Sequence, residues 1–292
     1  MTVKKKYLGI IYIIISAFCF AFMSAFVRLS GDLPTMQKAF FRNYVALWFA
    51  LAVLIKNKTP IRVEGTKPKI ALFVRCLAGS LGLVGNFYAV DRLKLSDASM
   101  LNKMSPFFAV VFAIIVVKEK LSMVQLITVL GAFAGSLFII KPSFSNADLL
   151  PALAGFGGGM GAGLAYACVR YMGKHNVNGP LIVAFFSVFS CMLTLPFMIL
   201  NFTPMSPKQL MFLLGAGMSA AGGQFSITAA YSHAPPREIS VYDYSQLIFS
   251  TCIGFFLFGD IPDVWSFVGY FIIVGMAVLQ FFYNNVWHKE ND

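Results

Sequence analysis

A chain of 292 residues has, by length, room for two soluble domains, but 58% hydrophobic residues, only 12% charged residues and a mean hydropathy of +0.75 exclude that. Soluble domains carry roughly 25% charge, and thirty-one Phe cannot all be withdrawn from water in a chain of this size, so lipid must be part of the solvent. The net charge of +11 does not make a nucleic-acid binder, because the basic residues fall in short loops rather than on one continuous face.

Lys4, Lys5 and Lys6 lead into an apolar run from Tyr7 to Val27. It is longer than the roughly 7–15 apolar residues of a secretory leader and has no small-residue cleavage site after it, which predicts a retained first span over 7–29. Further apolar runs bounded by charge, Pro and Gly predict spans over 34–55, 69–90, 97–117, 121–140, 149–170, 179–201, 208–231, 239–258 and 263–285. Each is near the about 20 residues that cross a ~30 Å hydrocarbon core, and together they use up almost the whole chain. The runs are continuous rather than alternating, so they predict helices and not a barrel. Pro34 and Pro262 stand at helix starts, whereas Pro106 and Pro196 fall inside spans and predict kinks. Five Cys lie in apolar runs without a CxxC or CxxH pair and read as small packing residues; neither a metal nor another cofactor is expected.

With a cytoplasmic N-terminus, 14 Lys and Arg fall in cytoplasmic segments against 6 outside, and Arg42, Arg75 and Lys103 remain within spans. That bias predicts a multi-pass protein of the cell's inner (plasma) membrane with both termini cytoplasmic.

The chain also repeats itself at an offset of about 140 residues. Gly85-Asn86-Phe87-Tyr88, then Asp97-Ala98-Ser99, Lys118-Glu119-Lys120-Leu121, Gly131 and Gly135 correspond to Gly223-Gln224-Phe225-Ser226, then Glu238-Ile239-Ser240, Phe258-Gly259-Asp260-Ile261, Gly269 and Gly275. Five spans per half is an odd number, so the second half enters the membrane from the opposite side. The fold class expected is an all-α membrane protein whose ten transmembrane helices form two inverted five-helix repeats, over residues 1–145 and 146–292.

Ten spans in two repeats, with Ser96-Asp97-Ala98-Ser99 before Pro106 and Val117-Lys118-Glu119-Lys120-Leu121 before Gly131 and Gly135, resemble the drug/metabolite transporter superfamily of the EamA type over the whole chain. The second repeat departs from the pattern: Gln246 or Leu247 stands where the first has Pro106. The resemblance implies a metabolite transporter with a central cavity between the repeats, and no particular substrate.

A charge in hydrocarbon costs at least about 2.5–3.5 kcal/mol, so it turns to the protein interior and to a partner. Arg42, Arg75, Lys103 and Asp243 qualify. Lys103 and Asp243 hold nearly equivalent positions of the two repeats, which suits either a shared cavity wall or an ion pair bridging the halves. Three cations against one acid favour a solute bearing a carboxylate or phosphate, although Arg42 and Arg75 lie near enough to span ends to snorkel. Arg75, Gly79, Gly82 and Asn86 share one helical face. Asn102 flanks Lys103, Gln224 takes the repeat position of Asn86, and Tyr242, Asp243, Tyr244 and Gln246 form a dense polar run. Tyr88 and Tyr166 could supply ring contacts. Gly155, Gly159 and Gly163 step by four and read as a helix-packing stripe rather than a phosphate loop, which would need a preceding strand and a following Lys.

These residues predict a non-enzymatic secondary transporter that moves a small polar metabolite by alternating access. An amino acid or other carboxylate-bearing solute comes first, since Asp243 can meet an amino group while Lys103 and Arg75 meet a carboxylate. An organic anion or an S-adenosylmethionine- or nucleotide-type exchanger is the alternative. Protons are the candidate coupling ion, with Asp243 as carrier, and a monomer or a homodimer would serve. A membrane enzyme is disfavoured by the lack of paired acids, HExxH or a Ser/His/Asp set, and a non-transporting scaffold would not need four buried charges.

Overall fold

The computed structural model describes residues 3–92, 99, 101–141 and 149–284. It contains helices α1 (Val3–Leu29), α2 (Thr35–Lys56), α3 (Thr66–Arg92), α4 (Ser105–Val117), α5 (Met123–Ile140), α6 (Leu149–Lys174), α7 (Gly179–Leu200) and α8 (Pro207–His233). A helical turn Pro236–Ile239 and a 3-10 turn Ser240–Tyr244 then lead into α9 (Ser245–Phe258), and α10 (Val264–Phe282) follows. Among the described residues, nine helical stretches are long and apolar enough to cross a membrane, the span ending in α9 being counted from Pro236, and α4 is a shorter tenth. There is no strand among them. The Asp97 segment and the C-terminal His288 and Lys289 lie outside the described residues.

Local chemistry sets where the helices begin and end. Ser122 and Ser206 each cap a helix and accept from the backbone while Gln125 and Gln209 bond back to the cap, a reciprocal arrangement that satisfies two otherwise orphaned N–H groups. Pro106 stands at the start of α4, where its missing N–H costs least, so the predicted kink becomes a break. The fourth span bends at Lys103-Met104 and the ninth at its 3-10 turn, which ends at Tyr244. Pro196 lies inside α7, which continues to Leu200.

The halves are related by a pseudo-two-fold axis. The most extensive contacts are α3 on α6 and its symmetry equivalent, α8 on α1; α5 packs on α10 and α2 on α7, each helix against its own repeat mate. The α5–α10 seam makes the inversion explicit. Gln125 meets Asn284, Thr128 meets Gln280, a methyl on Gly131 would run into Met276, and one on Gly135 would meet Ile272. Ascending numbers on one helix face descending numbers on the other, so repeat mates run antiparallel. The seam ends the same way on both sides. The α5 cap Ser122 bonds Tyr283 at 2.6 Å, and the α10 cap Asp263 pairs with Lys141. Glycine lets α3 and α6 touch backbone to backbone, since a methyl on Gly158 would lie 2.9 Å from the Gly82 carbonyl oxygen. The expected packing stripe faces two neighbours: Gly159 and Gly163 accommodate Leu101, Phe108 and Ala109, Gly158 and Gly161 accommodate α3, and Gly155 lies against both Leu101 and Ala89 of α3.

Candidate functional site

A cavity of about 740 Å³ runs between the halves. Its mouth is marked by Arg28, Asp32 and Lys38, at the α1–α2 connection, and by Asp260. Its depth is lined by Arg42, Arg75, Asn86, Asn102, Lys103, Tyr166, Gln224 and Asp243. Beyond Tyr166 and Asp243 the molecule is closed: Tyr231, Ile239 and Ser240 are fully buried.

Lys103 and Asp243 sit at the two helix breaks and meet near the pseudo-two-fold axis. Lys103 Nζ lies 3.6 Å from Asp243 Oδ2 and donates to Gln246 Oε1 at 2.7 Å. Both side chains are more than nine-tenths buried, and Asp243 Oδ1 has no partner. The pair is therefore both a cavity wall and a bridge between the halves.

Unlike Lys103, the two arginines have no counter-charge beside them among the described residues. Arg75 is 2% exposed; it donates Nη2 to Gln224 Oε1 at 3.2 Å and lies 4.1 Å over the Phe186 ring. Gly79, one turn along, leaves room for it, because a methyl there would overlap Arg75 Nη1. Arg42 is 9% exposed and lies 5.9 Å from the Phe20 ring centre, so it does not snorkel to the span end. Among the described residues no carboxylate lies within 4.0 Å of either guanidinium, and both Nε atoms lack a partner. Planar guanidinium forks without a carboxylate partner beside an open cavity are suited to a planar anion.

Eight of the eleven residues singled out by sequence thus line one cavity. The other three lie outside its lining. Tyr88 stacks under Arg92, 4.0 Å from guanidinium carbon to ring centre. Tyr244 is fully buried and donates to the Lys103 carbonyl at 3.0 Å, holding the two helix breaks together. Tyr242 is packed in the core with its hydroxyl unpaired. The aromatic that does line the depth, Tyr166, stacks on Tyr231 with ring centres 4.9 Å apart. Phe186 joins the site although sequence reasoning did not nominate it, and Gln246, noted only within the polar run of the ninth span, bonds Lys103 there. Gln246 was visible as the residue standing at the position of Pro106; Phe186 gave no signal in an apolar run.

Inverted five-helix halves around a charged, solvent-entered cavity define a membrane transporter. The EamA-like transporter family matches residues 7–141 and again 149–282, and the chain belongs to that family. The pseudopaline exporter CntI of Pseudomonas aeruginosa is 27% identical over 269 residues, covering 91% of this chain and 93% of its own. Human solute carrier family 35 member G1 is 25% identical over 288 residues, covering 93% of this chain and 78% of its own. A solved crystal structure superposes with a TM-score of 0.82 over 96% of both chains at 13% identity, which shows a shared fold alone.

Proposed function

We propose that the chain is a secondary transporter that moves a small carboxylate-bearing metabolite across the cytoplasmic membrane by alternating access. One observation carries this reading: Arg42 and Arg75 are buried in the cavity without a carboxylate partner among the described residues. A buried cation without a partner is costly, and an anionic solute supplies what the protein withholds. In this reading the solute's carboxylate lies on Arg42 and Arg75, and its amino group meets Asp243, whose Oδ1 is unpaired. Lys103, already held by Asp243 and Gln246, sets the electrostatics of the floor. An organic anion without an amino group is the second reading, favoured in the depth of the cavity by Arg42, Arg75 and Lys103 against Asp243 alone. The Lys and Arg distribution supports a reading with both termini in the cytoplasm and the cavity mouth outside. A relative named as an exporter supports transport of a small metabolite without naming this chain's cargo.

The test is a thermal-shift panel on purified protein with amino acids, dicarboxylates and nucleotides. A ligand at a hundred times its dissociation constant stabilises by about 2.7 kcal/mol. Carboxylate-bearing members should raise the unfolding midpoint of the wild type. Arg75→Gln and Arg42→Gln should abolish the shift, and Asp243→Ala should abolish it for amino acids only. Equal stabilisation of all three variants would sink the site. Uptake into liposomes with and without a pH gradient then decides whether protons are coupled.

A further inference from the structure

The pseudo-two-fold axis relates two ion pairs at opposite ends of the molecule. At the closed end, Arg170 in the last turns of α6 donates Nε to Glu119 Oε1 at 2.8 Å, just past the end of α4. At the mouth, Arg28 in the last turn of α1 donates Nη1 to Asp260 Oδ2 at 2.5 Å, just past the end of α9. The backbone corners match. Lys118 and Gly259 both end their helices in the left-handed conformation, at φ of 56° and 70°. The next N–H then reaches back six residues, from Glu119 to the Ala113 carbonyl and from Asp260 to the Gly254 carbonyl.

The same corner is in opposite states at the two ends. Glu119 and Arg170 side chains are 7% and 8% exposed; those of Asp260 and Arg28 are 51% and 56% exposed. What buries the first is second-half structure packed around it. Arg170 Nη1 donates to the Ser232 carbonyl of α8 at 3.4 Å, Arg237 donates to the Lys120 carbonyl, and Lys174 adds a second cation 3.1 Å from Glu119. Among the described residues no such cover lies over Arg28 and Asp260, which line the open mouth.

We infer that these two corners are the gates of the alternating-access cycle: the Glu119–Arg170 corner docks on α8 in the present state, and the Arg28–Asp260 corner docks on α3, the symmetry equivalent of α8, in the other. The inference rests on the alternating-access reading above. When the halves exchange conformations, the buried pair becomes exposed and the exposed pair becomes buried. Removing an acid therefore penalises only the state in which its arginine is buried. Glu119→Gln strands Arg170 at the closed end and drives the protein towards opening there. Asp260→Asn costs little now, because Arg28 is solvated, and penalises the state in which the mouth is shut.

The experiment uses the full chain in oriented vesicles, with Cys19, Cys76, Cys168, Cys191 and Cys252 replaced and one reporter added. A charged, membrane-impermeant methanethiosulfonate is applied from either side. Ser250→Cys reports the cavity, and Ser240→Cys, fully buried now, reports the closed end. Without gate changes, Ser250→Cys should react from the mouth side and Ser240→Cys from neither. With Glu119→Gln, Ser240→Cys should react from the Glu119 side about ten-fold faster or more, and Ser250→Cys should slow from the mouth side. Asp260→Asn should leave Ser240→Cys unreactive and Ser250→Cys as fast or faster. Unchanged Ser240→Cys labelling in folded Glu119→Gln, or the same direction of change for both gate variants, would overturn the inference. If Glu119→Gln does not fold, Lys174→Gln decides: it removes one of two cations beside Glu119, so partial opening is expected and none refutes. Labelling needs no solute, so shifted labelling without flux of any solute would sink the transport reading and spare the gates. Flux with unshifted labelling would do the reverse.

Discussion

Asp263 does two jobs at one helix end. Its carboxylate caps α10, accepting from the Ser266 N–H at 3.0 Å, and pairs with Lys141 across the seam. The hydrogen bond from Lys141 first, and those from Ser266 second, hold its pKa down to about 2. A carboxylate depressed on folding contributes stability that is present above its unfolded pKa, near 4, and lost as pH falls through the folded value. The unfolding midpoint should therefore decline between about pH 4 and pH 2 through this group, and Asp263→Asn should flatten that part of a midpoint-against-pH curve. The side chain is exposed, so the effect is modest and weakens with added salt. At this scale the sequence is a good guide to which residues matter and a poor one to how they pair. Hydrocarbon penalises charge so heavily that Arg42, Arg75, Lys103 and Asp243 stand out in apolar runs. That Lys103 meets a carboxylate while neither arginine does among the described residues depends on distances between helices, which no local pattern encodes. The tyrosines show the same limit: an OH suits both a ligand and a buried carbonyl, and Tyr244 took the carbonyl.

Between helices, the α3–α6 contact shows how position rather than residue type decides a glycine's role. A methyl on Gly158 would meet the Gly82 carbonyl oxygen at 2.9 Å and the Asn86 nitrogen at 3.0 Å, both backbone atoms that cannot rotate away. A methyl on Gly157 would meet nothing within 4 Å. Gly158→Ala should destabilise the protein by about 1–3 kcal/mol through overpacking. Gly157→Ala should be neutral or stabilising, by up to about 1 kcal/mol of helix propensity. Thermal unfolding of the two variants side by side checks this, and equal midpoints would contradict it. Hydropathy and charge made the helices legible, because a membrane demands length and apolarity of each span. The fourth span was only half legible. Pro106 pointed to a kink, but a break at Lys103-Met104 that turns a lysine to the cavity arises from packing against the ninth span.

For the whole molecule, an odd number of spans per repeat was enough to foresee inversion, because each crossing reverses direction. The faint internal repeat also held the gate corners: Glu119 and Asp260, and Arg28 and Arg170, are each separated by about the repeat offset. The two acid segments align in the repeat, but their pairing with Arg170 and Arg28 went unread because an acid and an arginine near span ends look like ordinary interfacial charge until both ends are superposed.

Like the α2–α7 contact, the antiparallel α5–α10 contact is carried onto itself when the halves exchange. A pairing that is its own mirror has no second arrangement to adopt, so it behaves as an axle about which other helices turn. Tethering it should cost nothing in turnover. A disulfide joining Thr128→Cys to Gln280→Cys, whose native side chains already bond, should leave flux in liposomes unchanged after oxidation. Arrested flux would mean that the axle itself slips.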